Sequence, residues 1–380
     1  MACHVEIVKG KKGLKDFFRV PYVVYRDDPN WIAPLQSEVE RVLDTNKNPY
    51  FRNSILCRFV CYRNEKPVSR AVAVINFDYW KRWGKKTAFF GFYESIYDQE
   101  ATTVLFVAIE KYCRDNGAEY LEGPFNPNHY SELGLLVRNF EGPRFFEPYN
   151  PSWYLRRLQN AGFSVSKTVY TRLNSDFRSW VNSHHLQVHL NGQIKGYKVR
   201  HFSLFRYRKD IEAIREINND SFSENPWFLP LSAEEYNFSS RLMFLVTSPK
   251  LIRLIEYNNE PVAVLQTVYN VNPVLRNVKG FFGLLTFVKF LFQRHKMKEI
   301  IIYAAGVKKK YRNSPAVFLL HNEVCRLSEK FSIVATTWMT DDNRALFRSM
   351  EKLGMQPYKW FVLLKKSLVK ENEEQEVLFG

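Results

Sequence analysis

Little in this chain points to crosslinking by sulfur or metal. Of its 380 residues only five are cysteine: Cys3, Cys57, Cys61, Cys113 and Cys325. The number is odd and no CxxC pair occurs. Cys57 and Cys61 stand four apart, but no histidine nearby completes a zinc set. A disulfide framework is therefore not expected, and a reducing cytoplasm is. No run of about 20 apolar residues occurs, so no segment is expected to span a bilayer. The opening MACHVEIVKGKKGLKDFF lacks the apolar core of a secretory leader, so secretion is not expected. There is no long basic arm, no zinc-finger spacing and no RNA-binding consensus. The net charge of +16 therefore does not by itself argue for nucleic acid. Three histidines in HHLQVH (184–189) have metal-like spacing but no adjoining acid, and no metal site is expected.

What the chain does have is apolar material and a repeat. Hydrophobic residues make up 46% and aromatics 16%, enough for two packed cores. The stretch YNPSWYLRRLQNAGFSVSKTVYTRLN (149–174) has a counterpart in TDDNRALFRSMEKLGMQPYKWFVLLKKSL (340–368). Each has an Asn, a short amphipathic run, a Gly beside an apolar residue, and then a strand-like run. In the first, Asn150 is expected to cap a helix that Gly162 ends. In the second, Thr340 or Asp341 caps, Leu346, Phe347, Met350 and Leu353 form the buried stripe, and Gly354 stops it.

The segments upstream match as well. CRFVCYRNEKPVSRAVAVINF (57–77) and KLIRLIEYNNEPVAVLQTVY (250–269) each read as two strands around a polar turn. Each is followed by a strand (KTAFFGFYE; KEIIIYAAGV), a helix (99–117; 314–330) and a short strand. This is a tandem duplication of one α/β unit. The expected division is 1–174, a linker at 175–200 rich in Ser, Asn, His and Gly, a second domain at 201–368, and a disordered charged tail at 369–380.

That order of elements resembles the GNAT acyltransferase fold, twice in series and over nearly the whole chain. The fold class expected is α/β, two GNAT-like domains in tandem, each a mixed, mostly antiparallel sheet flanked by helices. The segments FFRVPYVVYRDDPNWIAPLQSEVERVLDTNKNPYF (17–51), FFGFYES, LEGPFNPNHYSELGLLV and EPYNPSWYLRRLQNAGF look like a tandem-GNAT family of bacteria that includes bacterial ceramide synthases. The resemblance implies acyl-CoA as co-substrate and an amine acceptor. In its sharpest form the acceptor is a sphingoid base. Transfer of a short acyl group to a small polar amine, and a degenerate non-catalytic pair, stand as the alternatives.

The resemblance also assigns places. In that fold a loop between a strand and the next helix holds the pyrophosphate with backbone N–H groups, as helix N-termini do. In the second half this loop is GVKKKYRNSPAVF, so Val307, Lys309, Lys310, Arg312, Asn313 and Ser314 are cofactor-binding candidates, with Asn343. The family's glycines are missing there, and Pro315 donates no N–H. In the first half the same place carries Glu94, Asp98 and Glu100, which repel phosphate. CoA is therefore expected in the second half and the acceptor in the first. A Tyr that serves as general acid in many GNAT enzymes is replaced by Leu158 and Met350.

Two residues are candidates for the base that an amine nucleophile needs. Glu94 ends an aromatic strand, and His129 lies in the polar loop GPFNPNHYSELG (123–134). Loops of this kind, following a strand end, are where α/β proteins place ligand groups. Asn126, Asn128, Tyr130 and Glu132 of that loop, with Tyr149, Asn150 and Tyr154, are the substrate-binding candidates. Finally, GFFGLLTFVKFLF (280–292) holds one charge, Lys289, and bases flank it. It reads as a core helix, the lining of an acyl tunnel, or a helix lying on a membrane. The last reading places the protein in the cytoplasm, at the inner face of the membrane, with Phe287 and Phe290 inserted.

Overall fold

The computed structural model describes residues 2–186, 194–276, 278, 280, 283–340 and 344–369. They form two compact units. One takes in Met1–Val169, Leu275–Phe282 and Lys359–Gly380, the other Tyr170–Val274 and Gly283–Tyr358. This division differs from one at 174 and 201. The last strand of each repeat is counted partly with the other repeat's unit, a long-range pairing that local pattern cannot announce. Within 175–200, Phe177–Ser183 is helical.

In the first unit β1 (His4–Ile7), β2 (Ser54–Arg63), β3 (Lys66–Asn76) and β4 (Thr87–Ser95) pair antiparallel in that order. Asn64 and Glu65 both have positive φ (50° and 60°), the conformation a two-residue hairpin of matching twist demands. β3 is buried on both faces, so it shows no polar alternation. Its Ala71, Ala73 and Ile75 pack with Leu105, Phe106 and Ile109 of the helix α4 (Gln99–Asp115). Its Val72 and Val74 pack on the opposite face with Phe17, Val39 and Leu43 from α1 (Gly10–Val24) and α2 (Gln36–Leu43). Asp98 caps α4 by accepting from the Ala101 N–H.

β5 (Tyr120–Gly123) pairs parallel with β4, but only from Thr87 to Phe89. Beyond that point the strands part. Phe125–Asn126 (β6), which pairs with Glu132–Leu133 (β7), crosses β4 at Gly91. A Cβ on Gly91 would lie 1.7 Å from the Phe125 carbonyl oxygen, so only glycine admits this crossing. The strand Gln356–Ser367, through its Leu364–Ser367 part, pairs with β5.

The second unit repeats the plan. β10 (Tyr197–His201), β11 (Ile252–Tyr257), β12 (Glu260–Tyr269) and β13 (Glu299–Val307) are antiparallel neighbours, and β13 pairs parallel with β14 (Ile333–Thr336). Asn258 and Asn259, at φ 48° and 67°, make the same kind of turn as Asn64 and Glu65. Both repeats also carry a register shift in the next strand pair, between Arg70 and Val72 and between Gln266 and Thr267. β13 and β14 pair from Glu299 opposite Ile333 as far as Ile302 opposite Thr336 and no further. α11 (Pro315–Cys325) covers Ile255 and Ala263 through Ala316 and Leu319, and α7 (Tyr207–Ser221) buries Ile211, Ile214 and Ile217.

Asn150 does not cap a helix. Its helix is α5 (Tyr154–Asn160), and the Asn150 amide instead bridges the Leu136 N–H (2.7 Å) and carbonyl (3.1 Å). Gly162 and Gly354 do stop their helices, at φ 91° and 67°. Among the described residues no helix is long and apolar enough to cross a membrane.

Candidate functional site

Polar side chains of the first unit gather where β4 leaves β5. Three elements far apart in sequence meet at Glu94. Its Oε2 accepts from the Tyr25 hydroxyl (2.7 Å) at the end of α1 and from the Tyr154 hydroxyl (2.8 Å) at the start of α5. The Tyr154 hydroxyl also accepts from the Ser95 N–H at 2.8 Å. The other carboxylate oxygen, Oε1, has no protein partner among the described residues, and Glu94 is half-buried rather than sealed. Burial pushes the Glu94 carboxyl up to about 7, against the opposing pull of the buried Arg70 guanidinium and of the two tyrosines. Arg70 is itself held by the Phe17 carbonyl (3.0 Å) and lies over the Phe17 ring.

Tyr25 is fixed from the far side. Trp31 stacks on it, with centroids 4.9 Å apart, and its hydroxyl also reaches the Tyr149 carbonyl at 3.2 Å. The Tyr149 hydroxyl donates to Asp28 at 2.8 Å. Glu132 is a second half-buried carboxyl. Burial pushes it up to about 7, the neighbouring Glu94 charge adds to the rise, and a hydrogen bond with Asn126 opposes it. The Asn126 Oδ1 accepts from the Phe92 N–H at 2.7 Å, so Asn126 ties the loop to the bulged part of β4.

Of the acceptor-side candidates, then, the fold brings Glu94, Glu132, Asn126, Tyr149 and Tyr154 into one network. His129 is buried, and burial pushes its imidazole down to about 3. It is neutral near pH 7 and a weak proton acceptor. Asn128 turns its own loop by accepting from the Tyr130 N–H (3.1 Å) and the Ser131 hydroxyl (3.3 Å), and the Tyr130 ring leans on His129. Asn150 holds a strand edge. Tyr25, Arg70, Trp31 and Asp28 escaped the sequence reading. The only local signal was the aromatic density of 17–31, which core packing explains equally well.

In the second unit β13 has no partner on its β14 side from Ala304 onward, among the described residues. Val307 ends this strand. Lys309–Tyr311 is a 3-10 turn, and Ser314 caps α11 by accepting from the Ala316 N–H. The basic loop is already engaged by acids. Lys308 pairs with Glu260 (2.9 Å), while Lys309 (3.2 Å) and Arg312 (3.1 Å) both pair with Glu224. The Lys309 N–H donates to Asp220 at 2.5 Å. Arg312 also donates to the Ser221 carbonyl, and Lys310 lies over the Tyr311 ring at 5.6 Å. Asn313 lies in the turn between Arg312 and Ser314, and Asn343 lies outside the described residues. Leu158 and Met350 are buried. Among the described residues no cluster of metal-ligating side chains occurs.

This pair of duplicated units, each with a bulged strand parting from its parallel neighbour, is the tandem GNAT fold. The chain matches a solved tandem GNAT protein from the clavulanic acid biosynthesis pathway with a TM-score of 0.54 and 9% identity, over 97% of this chain and 99% of that one. Two curated relatives are similar along almost their whole length. Protein YghO of Escherichia coli (strain K12) is 26% identical over 94% of each chain. Bacterial ceramide synthase of Caulobacter vibrioides (strain NA1000 / CB15N) is 26% identical over 95% of this chain and 96% of its own. No family model matches the chain.

Proposed function

We propose that this protein is an acyl-CoA-dependent N-acyltransferase, and that its acceptor is the amine of a sphingoid base. The observation that supports this most is Glu94: one oxygen oriented by two tyrosines, the other unpartnered, and an affinity for protons poised near neutrality. An amine acceptor arrives as an ammonium ion and must lose a proton before it attacks. Glu94 Oε1 takes that proton, and a base poised near the working pH is the efficient one. The amine nitrogen then forms its bond to the acyl carbonyl carbon while the carbon–sulfur bond breaks; CoA leaves as its thiolate and takes up the second proton that the nitrogen sheds on becoming an amide, so that amide and CoA thiol are the products. Tyr25 and Tyr154 hold the carboxylate in place, and Arg70 tempers the cost of its charge. Glu132 and Asn126 are proposed to hold the polar head of the acceptor. Similarity to the Caulobacter relative supports the choice of acceptor.

Acyl-CoA is assigned to the second unit, with its phosphates at 307–314 and the bare edge of β13 as a strand-like partner for its amide groups. The loop fits an anion in charge, but its cations must first leave Glu224. Arg312→Glu is expected to weaken CoA binding at least about tenfold, the scale of one charge-assisted contact at roughly 1.5–3 kcal/mol. Glu224→Gln, which removes the competitor, is expected to strengthen it. Calorimetric titration of CoA against the three forms decides the matter, and equal affinities remove the loop from the site.

The deciding assay combines the protein with a long-chain acyl-CoA and a sphingoid base and looks for the amide by mass spectrometry. Acetyl-CoA with small polar amines is the comparison, and lipids from cells with and without the gene provide the check in vivo. Product only from the small amines replaces the acceptor. The engagement of the loop by Glu224 and Asp220 favours a second reading, a non-catalytic pair. Absence of any CoA heat and of both products would establish that one.

A further inference from the structure

One end of the second unit's sheet carries a surface unlike the rest. β10 ends at His201, β11 begins at Ile252, β12 ends at Tyr269 and β13 begins at Glu299. Because these neighbours are antiparallel, all four points lie at the same end. The segments attached there hold large apolar side chains in water. Leu204 and Phe205 occupy the tip of a 3-10 turn between β10 and α7. Phe205 is fully exposed and Leu204 is 66% exposed. Leu245, at the end of α8 (Ala233–Leu245), is exposed beside them, since its neighbour Phe244 packs on Phe202 and Tyr207.

The helix α10 (Leu284–Gln293) adds a second tip. Its Phe290 is 1% exposed and meets the Tyr269 ring at 6.1 Å. The expectation that Phe290 inserts into a membrane is therefore corrected: it faces the core, and an acidic residue there would break the fold. Among the side chains described in this helix, Val288, Leu291 and Phe292 are exposed apolar ones, at the spacing of one helical stripe, with Phe292 at 72%. Scattered exposed apolar residues need no explanation, but a group at one end does.

The charge at this end has one dominant sign. Arg206, Arg208 and Lys209 follow the first tip directly, Lys296 and Lys298 follow the second, and all five are exposed. The acids nearby are mostly engaged. Asp210 is buried and binds Arg200 (2.7 Å), Glu323 binds Arg253 (2.9 Å), and Glu299 accepts from Asn270 (3.0 Å). Among the described residues Glu329 is an exposed carboxylate there.

We propose that this end of the second unit docks on an anionic lipid bilayer, with Leu204 and Phe205 inserted among the acyl chains and the basic residues on the headgroups. Separate apolar tips ringed by cations suit a soft, negatively charged surface better than a protein partner, which needs a continuous complementary face. The two components respond differently to salt. The attraction of the bases is screened within about 10 Å at 0.1 M salt, whereas apolar insertion is not.

Flotation of the full chain with vesicles tests this, and it needs neither CoA nor an acceptor, so its outcome is separable from that of the acyl-transfer reading. The protein is expected to float with phosphatidylcholine–phosphatidylglycerol vesicles at low salt and to remain with them partly at high salt. With phosphatidylcholine alone it is expected to float only to the smaller extent that survives high salt. Leu204→Glu with Phe205→Glu is expected to lower partitioning at high salt at least ~tenfold with an unchanged melting temperature. Arg208→Glu with Lys209→Glu is expected to lower partitioning chiefly at low salt. The proposal is overturned if the wild type does not float with anionic vesicles at low salt. It is overturned equally if sedimentation shows a dimer that the Leu204 and Phe205 substitutions dissociate, because the face then joins two copies of the chain.

Discussion

Glu94→Gln is expected to lower turnover at least ~100-fold, within the range that general-base catalysis supplies, while leaving the fold intact. Glutamine keeps the shape of the carboxylate and still accepts from Tyr25 and Tyr154 through its carbonyl oxygen, but it takes no proton. The pH dependence carries the sharper test. Burial raises the Glu94 carboxyl to about 7, so turnover should climb with pH through that value and level off above it. Tyr154→Phe removes a hydrogen bond that favours the charged form and should move the midpoint upward. Because Glu132 is also raised to about 7 and feels the Glu94 charge, the midpoint belongs to the pair.

The stability consequence has a definite sign. A carboxyl raised by burial favours the folded state below its unfolded value, 4.5, and that contribution is lost as pH rises through about 7. Glutamine carries no charge to desolvate, so the variant should melt no lower than the wild type at pH 8. Melting curves and turnover on the same preparations check this. Near-normal turnover, or a melting point well below wild type at pH 8, would sink the assignment of Glu94 as base.

Lys359→Met is expected to cost the first unit about 3–5 kcal/mol, the scale of leaving one member of a buried ion pair alone. Lys359 is completely buried within the strand Gln356–Ser367. Its ammonium donates to the carbonyls of Glu141 (2.8 Å) and Gly142 (3.0 Å) and meets the Glu147 carboxylate at 3.3 Å. Those contacts gather the loop that leads into Tyr149. Without the lysine, Glu147 remains buried with less compensation, and the two carbonyls lose a donor. Adding Glu147→Gln to Lys359→Met should recover part of the loss. Calorimetric unfolding of the single and double variants measures it. A single variant as stable as wild type would show that Glu147 and the two carbonyls do not depend on the lysine, and would remove the pair from the account of this unit's stability.

The repeat, its turns and its helix stops were legible because each is a local matter. Asn64–Glu65 and Asn258–Asn259 sit between apolar runs, and their residue types tolerate the left-handed backbone a tight hairpin needs. Gly162 and Gly354 mark helix ends for the same reason. Polarity at the end of β4 drew attention to Glu94, and loop composition drew attention to Asn126 and Glu132. Asn150 misled because Asn before Pro is a good cap signal, and nothing nearby reveals that its amide serves a strand edge fourteen residues back.

The chain's periodicity and turn signals therefore determined its α/β class and its duplication, and polarity marked the strand end where Glu94 stands. The tertiary structure alone decided the partners. Tyr25 and Tyr154 lie 69 and 60 residues from the carboxylate they orient, and Lys359 lies 218 residues from the carbonyl of Glu141 that it binds. Which face of α10 meets the core, so that Phe290 is covered and Phe292 is not, was decided the same way. The physical reason is that backbone preference depends on a residue and its near neighbours. Desolvation, and with it the proton affinity of Glu94 or His129, depends on every atom packed around the group, and only the folded chain supplies those atoms.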